Sequence, residues 1–421
     1  MIRGIITEQG SAQTVTLDEA RALDAADSLA HCRDRFILPE GLIYLDGNSL
    51  GALPRATSAA IAEVVERQWG EHLITSWSRH GWIDAPATLG AKLAPLIGAA
   101  ANQVLVCDST SVNLFKLLVA ALGAQPGRRV ILSERGNFPT DLYIAEGVAR
   151  LLPGTELRTV DQADIVSALG DDVAVLMLTH VDYRSGERHD MAALSAAARA
   201  AGALSLWDLS HSAGALDLSL SASGADLAVG CGYKYLNGGP GAPAFLYVAA
   251  ALQNQLHSPL TGWMGHDAPF AFDDVYRPAP GIARFLAGTP PIIAMAALAA
   301  GLATFDGVTI NEIEAKAASL TDTFIVCVEA RCPSVVLASP RDAARRGSHV
   351  SFRHPQAYAV MQALIERGVI GDVRMPDLIR FGFAPLYNSH EDTFRAAQKL
   401  GEILDGKLWD DSRYQKRAIV I

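Results

Sequence analysis

Two short stretches decide the fold: Ala203-Leu-Ser-Leu-Trp-Asp-Leu-Ser-His211 and Leu227-Ala-Val-Gly-Cys-Gly-Tyr-Lys234. Each begins with a largely apolar run of strand length and then turns polar. In an open α/β sheet, ligands bind beyond the carboxyl ends of the strands. We therefore expect Asp208, after the first run, and Lys234, after the second, at one ligand-binding edge of a sheet.

The sequence around these stretches alternates between strand-like and helical runs from about residue 55 to residue 300. Such alternation predicts a mostly parallel sheet covered by helices on both faces. The predicted fold class is therefore α/β, with a large domain of this kind and a smaller α+β domain. The clearest strands are Arg129–Ser133, Val173–Thr179, Ala203–Trp207, Leu227–Gly230 and Phe245–Val248.

Toward the two ends of the chain, the pattern of predicted helices and strands differs from this alternation. Thr16-Leu-Asp-Glu19 has the spacing of a capping box and predicts a helix through Phe36, and the apolar run Ile292–Phe305 predicts a buried helix. We predict an N-terminal segment 1–54 that packs with the small domain, a large domain 55–300 that carries the site, and a small domain 301–421. The small domain is expected to contain helices Asn311–Arg331, Tyr358–Arg367 and Glu391–Leu404 and strands Val335–Ala338, His349–Arg353 and Leu378–Phe383.

Composition excludes several classes of protein. The net charge of −10, from 45 acidic and 35 basic residues, and the lack of a dense Lys/Arg stripe argue against nucleic acid as a partner. Met1–Gly10 has no apolar leader region, and the longest apolar run is too short to span a bilayer. Five irregularly spaced cysteines predict neither a disulfide framework nor structural zinc, so we expect no metal and a reducing cytoplasm.

Asp208 and Lys234 together suit pyridoxal 5'-phosphate. A lysine forms a Schiff base with the aldehyde of this cofactor, and an acid keeps the pyridine nitrogen protonated so that the ring can absorb carbanion charge. Singly, each signal is weak, because an Asp after a strand usually caps a helix and a lone His211 would usually be a core residue. Their order and spacing together favour a cofactor site.

Six segments resemble the kynureninase family, in the same order along the chain. They are Tyr44–Gly51, Asp108–Leu114, Asn137–Tyr143, Asp208–Gly214, Gly230–Ala244 and Arg380–Asn388. The resemblance implies fold type I of the pyridoxal-phosphate enzymes, in the class V aminotransferase group. It implies hydrolysis of L-kynurenine to anthranilate and L-alanine, through quinonoid and ketimine intermediates and a retro-Claisen Cβ–Cγ scission. 3-Hydroxykynurenine would be a second substrate to test, and the pathway would be tryptophan catabolism or NAD biosynthesis.

The resemblance also implies roles for individual residues. Lys234 would carry the internal aldimine, Asp208 would pair with the pyridinium nitrogen, and Tyr233 would contact the phosphate and relay protons. Arg380 would bind the substrate α-carboxylate, with Ser49 facing the substrate. The further cofactor-binding positions would be Thr110, Ser111, Phe138, Asp141, Thr179, His211, Trp263 and Thr289. Because Trp263 and Thr289 match positions that reach into the neighbouring subunit's site, the resemblance implies a homodimer with shared active sites.

Two alternatives compete with this interpretation. A cysteine desulfurase or aminotransferase would share Asp208, His211 and Lys234, but a desulfurase needs a nucleophilic cysteine on a mobile loop, and no cysteine lies in such a loop. A non-catalytic pyridoxal-binding sensor would come fused to a DNA-binding module, which does not fit into the first 40 residues. The segment Ile74–Trp82 departs from relatives that carry a histidine against the substrate ring, so His80 is not assigned that contact.

Overall fold

A seven-stranded sheet forms the centre of the large domain in the computed structural model, which describes residues 15–416. The strand order is β4-β10-β9-β8-β7-β5-β6, and β10 runs against the other six. Met1–Gly10, on which the leader prediction rests, lie outside the described residues. The strands are β1 Phe36–Ile37, β2 Ile43–Tyr44, β3 Leu53–Pro54, β4 Val104–Val106, β5 Val130–Glu134, β6 Glu156–Val160, β7 Val173–Thr179, β8 Leu204–Asp208, β9 Leu227–Gly230, β10 Phe245–Val248, β11 Val336–Leu337, β12 His349–Arg353, β13 Val369–Ile370, β14 Asp372–Arg374 and β15 Leu378–Gly382.

Helices cover both faces of this sheet. Every residue of β7 is buried, and its side chains alternate between two hydrophobic cores: Leu176 and Leu178 join one, Val175 and Met177 the other. The mostly parallel sheet with helices on both faces confirms the predicted fold class. The α-helices are α1 Leu17–Ala25, α2 Thr57–Ala62, α3 Ser76–Arg79, α4 Ala85–Leu93, α5 Thr110–Ala124, α6 Pro139–Leu151, α7 Met191–Ala200, α8 Leu220–Ser223, α9 Ile292–Ala303, α10 Ile310–Arg331, α11 Ala357–Glu366 and α12 His390–Asp405.

The small domain has its own sheet and its own core. Its antiparallel sheet has the order β11-β12-β15-β14, and helices α10, α11 and α12 supply most of the buried side chains behind it. Ala20, Ile43 and Leu45 from the N-terminal segment belong to the same core. The domain boundaries at residues 54 and 300 stay a prediction.

The bounds of several strands and the start of the first helix agree with the sequence predictions. β7, β9, β10 and β12 have the predicted bounds, and the capping box at Thr16 and Glu19 starts α1. The first helix ends at Ala25 instead of continuing through Phe36, because Asp27 accepts from the Leu29 amide in a turn and pairs with Lys316 at 2.6 Å. Of the helices between residues 15 and 416, none combines the length and apolar character needed to cross a bilayer.

Candidate active site

The carboxyl ends of three neighbouring strands meet at one edge of the large sheet. Asp208 ends β8, and its register partner Thr179 ends β7. Gly230 ends β9, and the turn after it leads to Lys234. The parallel register therefore brings together residues far apart in the sequence, as expected for a ligand site in this fold class.

Lys234 is buried beside a histidine. Its Nζ lies 3.1 Å from Nε2 of His211, and both side chains are less than a tenth exposed. Burial and the neighbouring lysine hold the pKa of His211 well below its usual range, so the imidazole is uncharged and Nε2 can accept a hydrogen bond from the amine. The structure thus brings the two predicted residues into direct contact.

Two aromatic rings flank the lysine amine. Nζ lies 5.9 Å from the ring centroids of both Phe138 and Tyr233. Phe138 directly precedes α6, its amide donates to Oδ1 of Asn137 at 2.8 Å, and its ring meets Tyr183 edge-on at 5.2 Å. The local hydrogen bond and the ring contact hold Phe138 on the side of Lys234.

An acid pair lies near Lys234. Asp141 and Asp208 are both buried, and burial together with the Asp208 carboxylate raises the pKa of Asp141 well above its usual range. The Thr179 hydroxyl lies 3.2 Å from Oδ2 of Asp141, and Oδ1 of Asp208 accepts from the Ser210 amide at 2.7 Å. The shift favours a proton on Asp141.

Thr110 and Ser111 form the first turn of α5, as predicted. Ser109 caps this helix by accepting from the Val112 amide, and Asp108 turns the chain with φ +50 just before the cap. The fully buried Lys116 fixes the turn, with Nζ 2.6 Å from Oδ2 of Asp108 and 2.7 Å from the Phe285 carbonyl oxygen. Thr110 and Ser111 are half-buried. Free backbone N–H groups at such a helix start suit a phosphate.

Arg380 lies in a buried ion pair on β15. Antiparallel register places it opposite Asp372 on β14, and its Nε donates to Oδ1 of that residue at 2.7 Å while Nη2 donates to Oδ2. Nη1 donates to the Tyr183 carbonyl oxygen at 2.5 Å, and Nη2 also donates to Oγ of Ser49 at 3.2 Å. The planar edge expected to face a substrate carboxylate is therefore turned to Asp372.

Trp263 and Thr289 lie apart from this cluster. Trp263 is 36% exposed and packs edge-on against Trp77 and Phe270, and Thr289 is exposed. Within residues 15–416, no hydrogen bond or ring contact joins either of them to Lys234. A single chain therefore leaves both positions on its surface.

The sequence patterns missed Asp372, Arg374 and Tyr183. Asp372 and Arg374 stand two positions apart on β14, where alternation puts both on one face of the strand. A charged pair shortly before the Arg380 segment was a usable signal, but the register that joins Asp372 to Arg380 is a tertiary feature.

Comparisons with solved structures agree with this fold. A cysteine desulfurase from Thermococcus onnurineus NA1 has a TM-score of 0.75 at 22% identity, covering 90% of this chain and 98% of that one. A C-DES variant with glycine covalently linked to its pyridoxal-phosphate cofactor has a TM-score of 0.76 at 19% identity, covering 87% and 98%. The fold and the lysine, acid pair and helix start at the strand ends define the class: a fold type I enzyme of the pyridoxal-phosphate-dependent group.

Sequence relatives identify the family within this class. The kynureninase C-terminal domain family matches residues 313–400. The kynureninases of Burkholderia mallei strain SAVP1 and Pseudomonas fluorescens are each 52% identical over 413 residues, which cover 96% of this chain and 99% of each relative. The chain belongs to the kynureninase family.

Proposed function

We propose that the protein hydrolyses L-kynurenine to anthranilate and L-alanine, with pyridoxal 5'-phosphate held at Lys234. The observation that carries the proposal is the 52% identity to kynureninases over 96% of the chain. 3-Hydroxykynurenine, which adds one ring hydroxyl, is a second substrate to test.

The residues at the strand ends fit the cofactor chemically. The Lys234 amine suits the aldehyde, the face of Phe138 suits the ring, and the start of α5 with Thr110 and Ser111 suits the phosphate. The buried pair of Asp141 and Asp208 suits a protonated pyridine nitrogen, because solvent does not screen the attraction between a buried carboxylate and a positive charge.

The bound cofactor supplies an aldehyde that captures amines and a ring that accepts electron density from the adjoining substrate carbon. Lys234 would hold the cofactor and move the proton at the substrate α-carbon. His211, uncharged and 3.1 Å away, would accept a hydrogen bond from Nζ and orient it. Asp208 would keep the pyridine nitrogen protonated, and Thr179 would hold Asp141 beside it.

Tyr233 is suited to donate a proton. Burial raises the pKa of its hydroxyl above the usual value, so the group stays protonated at neutral pH. A proton must return to the β-carbon when the Cβ–Cγ bond breaks and alanine forms. We assign this donation to Tyr233, whose ring centroid lies 5.9 Å from Nζ of Lys234.

The substrate carboxylate would lie near Arg380 and Ser49. Their hydrogen bond joins the small domain to the N-terminal segment at the edge of the site. Tyr183 connects them to the cofactor position, because its carbonyl oxygen accepts from Arg380 and its ring contacts Phe138.

Desulfurase chemistry fits these residues poorly. The five cysteines are free and buried, and burial raises the pKa of Cys107 to about 11 and raises that of Cys231 as well. A desulfurase requires an accessible thiolate. The thiols here favour the hydrolase over its structural relatives.

A homodimer with shared active sites would explain the surface around Trp263. Trp263, Phe270 and Phe272 are 36%, 59% and 78% exposed. The Phe270 ring contacts both Trp263 and Phe272 edge-on. An exposed aromatic patch of this kind marks an interaction surface. Trp263 and Thr289 would then close the cofactor site of the second subunit.

We also infer the domain division and the compartment. The shared core of Ala20, Ile43 and Leu45 with the small domain supports a division into 1–54, 55–300 and 301–421. Free cysteines support a cytoplasmic location.

The deciding experiment adds L-kynurenine to cofactor-loaded protein and follows anthranilate fluorescence and L-alanine release together. Equal amounts of both products are expected. L-Cysteine serves as the matched alternative substrate, assayed for sulfide. Sulfide release without anthranilate would overturn the proposal.

A further inference from the structure

Most N–H donors of Arg380 are already used. A guanidinium carries five donors, and four of them bond to Asp372, Tyr183 and Ser49. The amide oxygen of Asn48, in the orientation that satisfies both of its polar atoms, also lies 3.0 Å from Nη2. One donor on Nη1 is left, whereas a carboxylate is gripped best by two parallel N–H groups.

Arg374 can supply the missing donors. Its Nη2 lies 2.7 Å from Oδ2 of Asp372, and its Nη1 donates to the Val373 carbonyl oxygen at 3.0 Å. Among the contacts within residues 15–416, these two leave three of its five N–H groups available. The Arg374 side chain is 31% exposed, whereas the side chains of Arg380 and Asp372 are 0% exposed. Arg374 is therefore the arginine of this cluster that a dissolved substrate can reach.

The charges of both arginines reach the surroundings of Lys234. Their charges contribute to the low pKa of His211, after burial, Lys234 and His349, and His211 contacts the Lys234 amine. Tyr183 lies between the two regions, since its carbonyl oxygen accepts from Arg380 and its ring packs on Phe138. An amino-acid substrate held at Lys234 would thus have its carboxylate near this pair.

The charges around Arg374 and Arg380 favour the binding of one more anion. Arg374 and Arg380 are faced by Asp372 and by Asp46, and burial together with Asp372 raises the pKa of Asp46 to about 7. Asp46 is therefore partly protonated near neutral pH, and the two positive charges are then not fully balanced. A substrate carboxylate would complete the balance.

We propose that Arg374 is a second substrate-binding residue, which grips the α-carboxylate together with the remaining N–H of Arg380. Asp372 positions both guanidinium groups through its two oxygens. The inference rests on the proposed function, which supplies an amino-acid substrate. It assigns Arg374 to substrate affinity and not to the chemical step.

The test compares Arg374→Gln and Arg374→Lys with Arg353→Gln in cofactor-loaded protein. Arg353 is a matched control on β12 of the same sheet, where it pairs with Asp377 at 3.0 Å and is 56% exposed. Arg374→Gln should raise KM for L-kynurenine about 10- to 100-fold, with kcat changed much less, because charge-assisted hydrogen bonds to the substrate are lost. Arg374→Lys should recover part of this loss, and Arg353→Gln should behave as the unchanged protein.

Two small ligands distinguish a specific loss of carboxylate binding from a general loss of protein structure. L-Alanine and L-alaninamide share an amine, but only the first carries a carboxylate, and each is titrated against the cofactor absorbance. Arg374→Gln should weaken L-alanine binding by the same factor as KM and leave L-alaninamide unchanged. Equal weakening of both ligands, or a lower Tm with KM unchanged, would overturn the inference. A protein that does not cleave kynurenine but still shows this split would refute the proposed function alone.

Discussion

Nζ of Lys234 and Nε2 of His211 lie 3.1 Å apart in a pocket where both side chains are buried. We predict that Lys234→Ala abolishes turnover and leaves the fold intact, because the amine supplies chemistry and little packing. Borohydride reduction and mass spectrometry should find cofactor attached to the unchanged protein and none on the variant. Lys92→Ala, at an exposed ion pair with Asp306, is the control. Steady-state anthranilate production by the Lys234 variant would contradict the assignment.

The acid pair gives a second prediction. Asp208→Asn should lower kcat by about 100-fold or more, the usual range for a lost proton-holding group, because a neutral amide cannot keep the pyridine nitrogen protonated. Asp141→Asn is the matched control, since the raised pKa of Asp141 favours its neutral form already. It should retain most activity. A larger loss for Asp141→Asn than for Asp208→Asn would reverse the two roles.

Arg380→Lys should affect both substrate binding and stability. A lysine keeps the charge but cannot make two parallel bonds to Asp372 or reach Tyr183 and Ser49 in the same geometry. We expect a higher KM and a free energy of unfolding lower by about 1–3 kcal/mol. Steady-state kinetics measures KM, and urea unfolding measures the free energy of unfolding. An unchanged KM would remove Arg380 from the substrate site.

Asp46 makes stability depend on pH. Its folded-state pKa of about 7 lies above the ordinary value, so the folded protein binds the extra proton and this group favours folding less as pH rises. Asp46→Asn cannot ionise. Relative to the unchanged protein, the variant should therefore gain stability as pH increases from about 4 to about 7. Urea unfolding at several pH values measures the difference, and a constant difference would show that Asp46 does not titrate in this window.

Mixed dimers test whether the active sites are shared. Lys234→Ala and the double variant Trp263→Ala/Thr289→Ala should each be nearly inactive, and co-refolding them should restore activity. In a mixed dimer, one site would combine an intact Lys234 from one chain with intact Trp263 and Thr289 from the other. Activity no greater than the sum of the separate variants would exclude the shared site and leave the reaction untouched.

The buried strands and the segment that contains Lys234 could be predicted from the sequence. Several hydrogen-bond partners of the site residues could not. β7 and β9 are continuous apolar runs, as expected when both faces of a sheet are covered, whereas the edge strand β6 was missed because Glu156 and Arg158 interrupt it and its residues stay partly exposed. Lys234 and Asp208 could be proposed because strand ends collect ligand-binding residues.

The partners of Arg380 follow from register and not from local pattern. Asp372 meets Arg380 only because β14 and β15 pair antiparallel, and Ser49 meets it through a contact across 331 residues of sequence. Sequence alone therefore predicts an arginine in the site but not that most of its donors are already used.

The loop that contains Ser49 joins both domains. The Gly51 amide donates to the Tyr233 carbonyl oxygen at 2.8 Å, and a side chain at Gly51 would collide with the Lys234 carbonyl oxygen, 2.4 Å from its Cβ position. Ser49, two residues earlier, bonds Asp372 and Arg380. During synthesis on the ribosome this loop emerges before its partners on β14 and β15, which lie 323 and 331 residues later in the sequence. Domains generally fold as they emerge, so the large domain can form with the loop on one side of the site still unpaired. The pocket becomes complete only after residue 380 has left the ribosome, and a truncated chain would hold the lysine without the arginine.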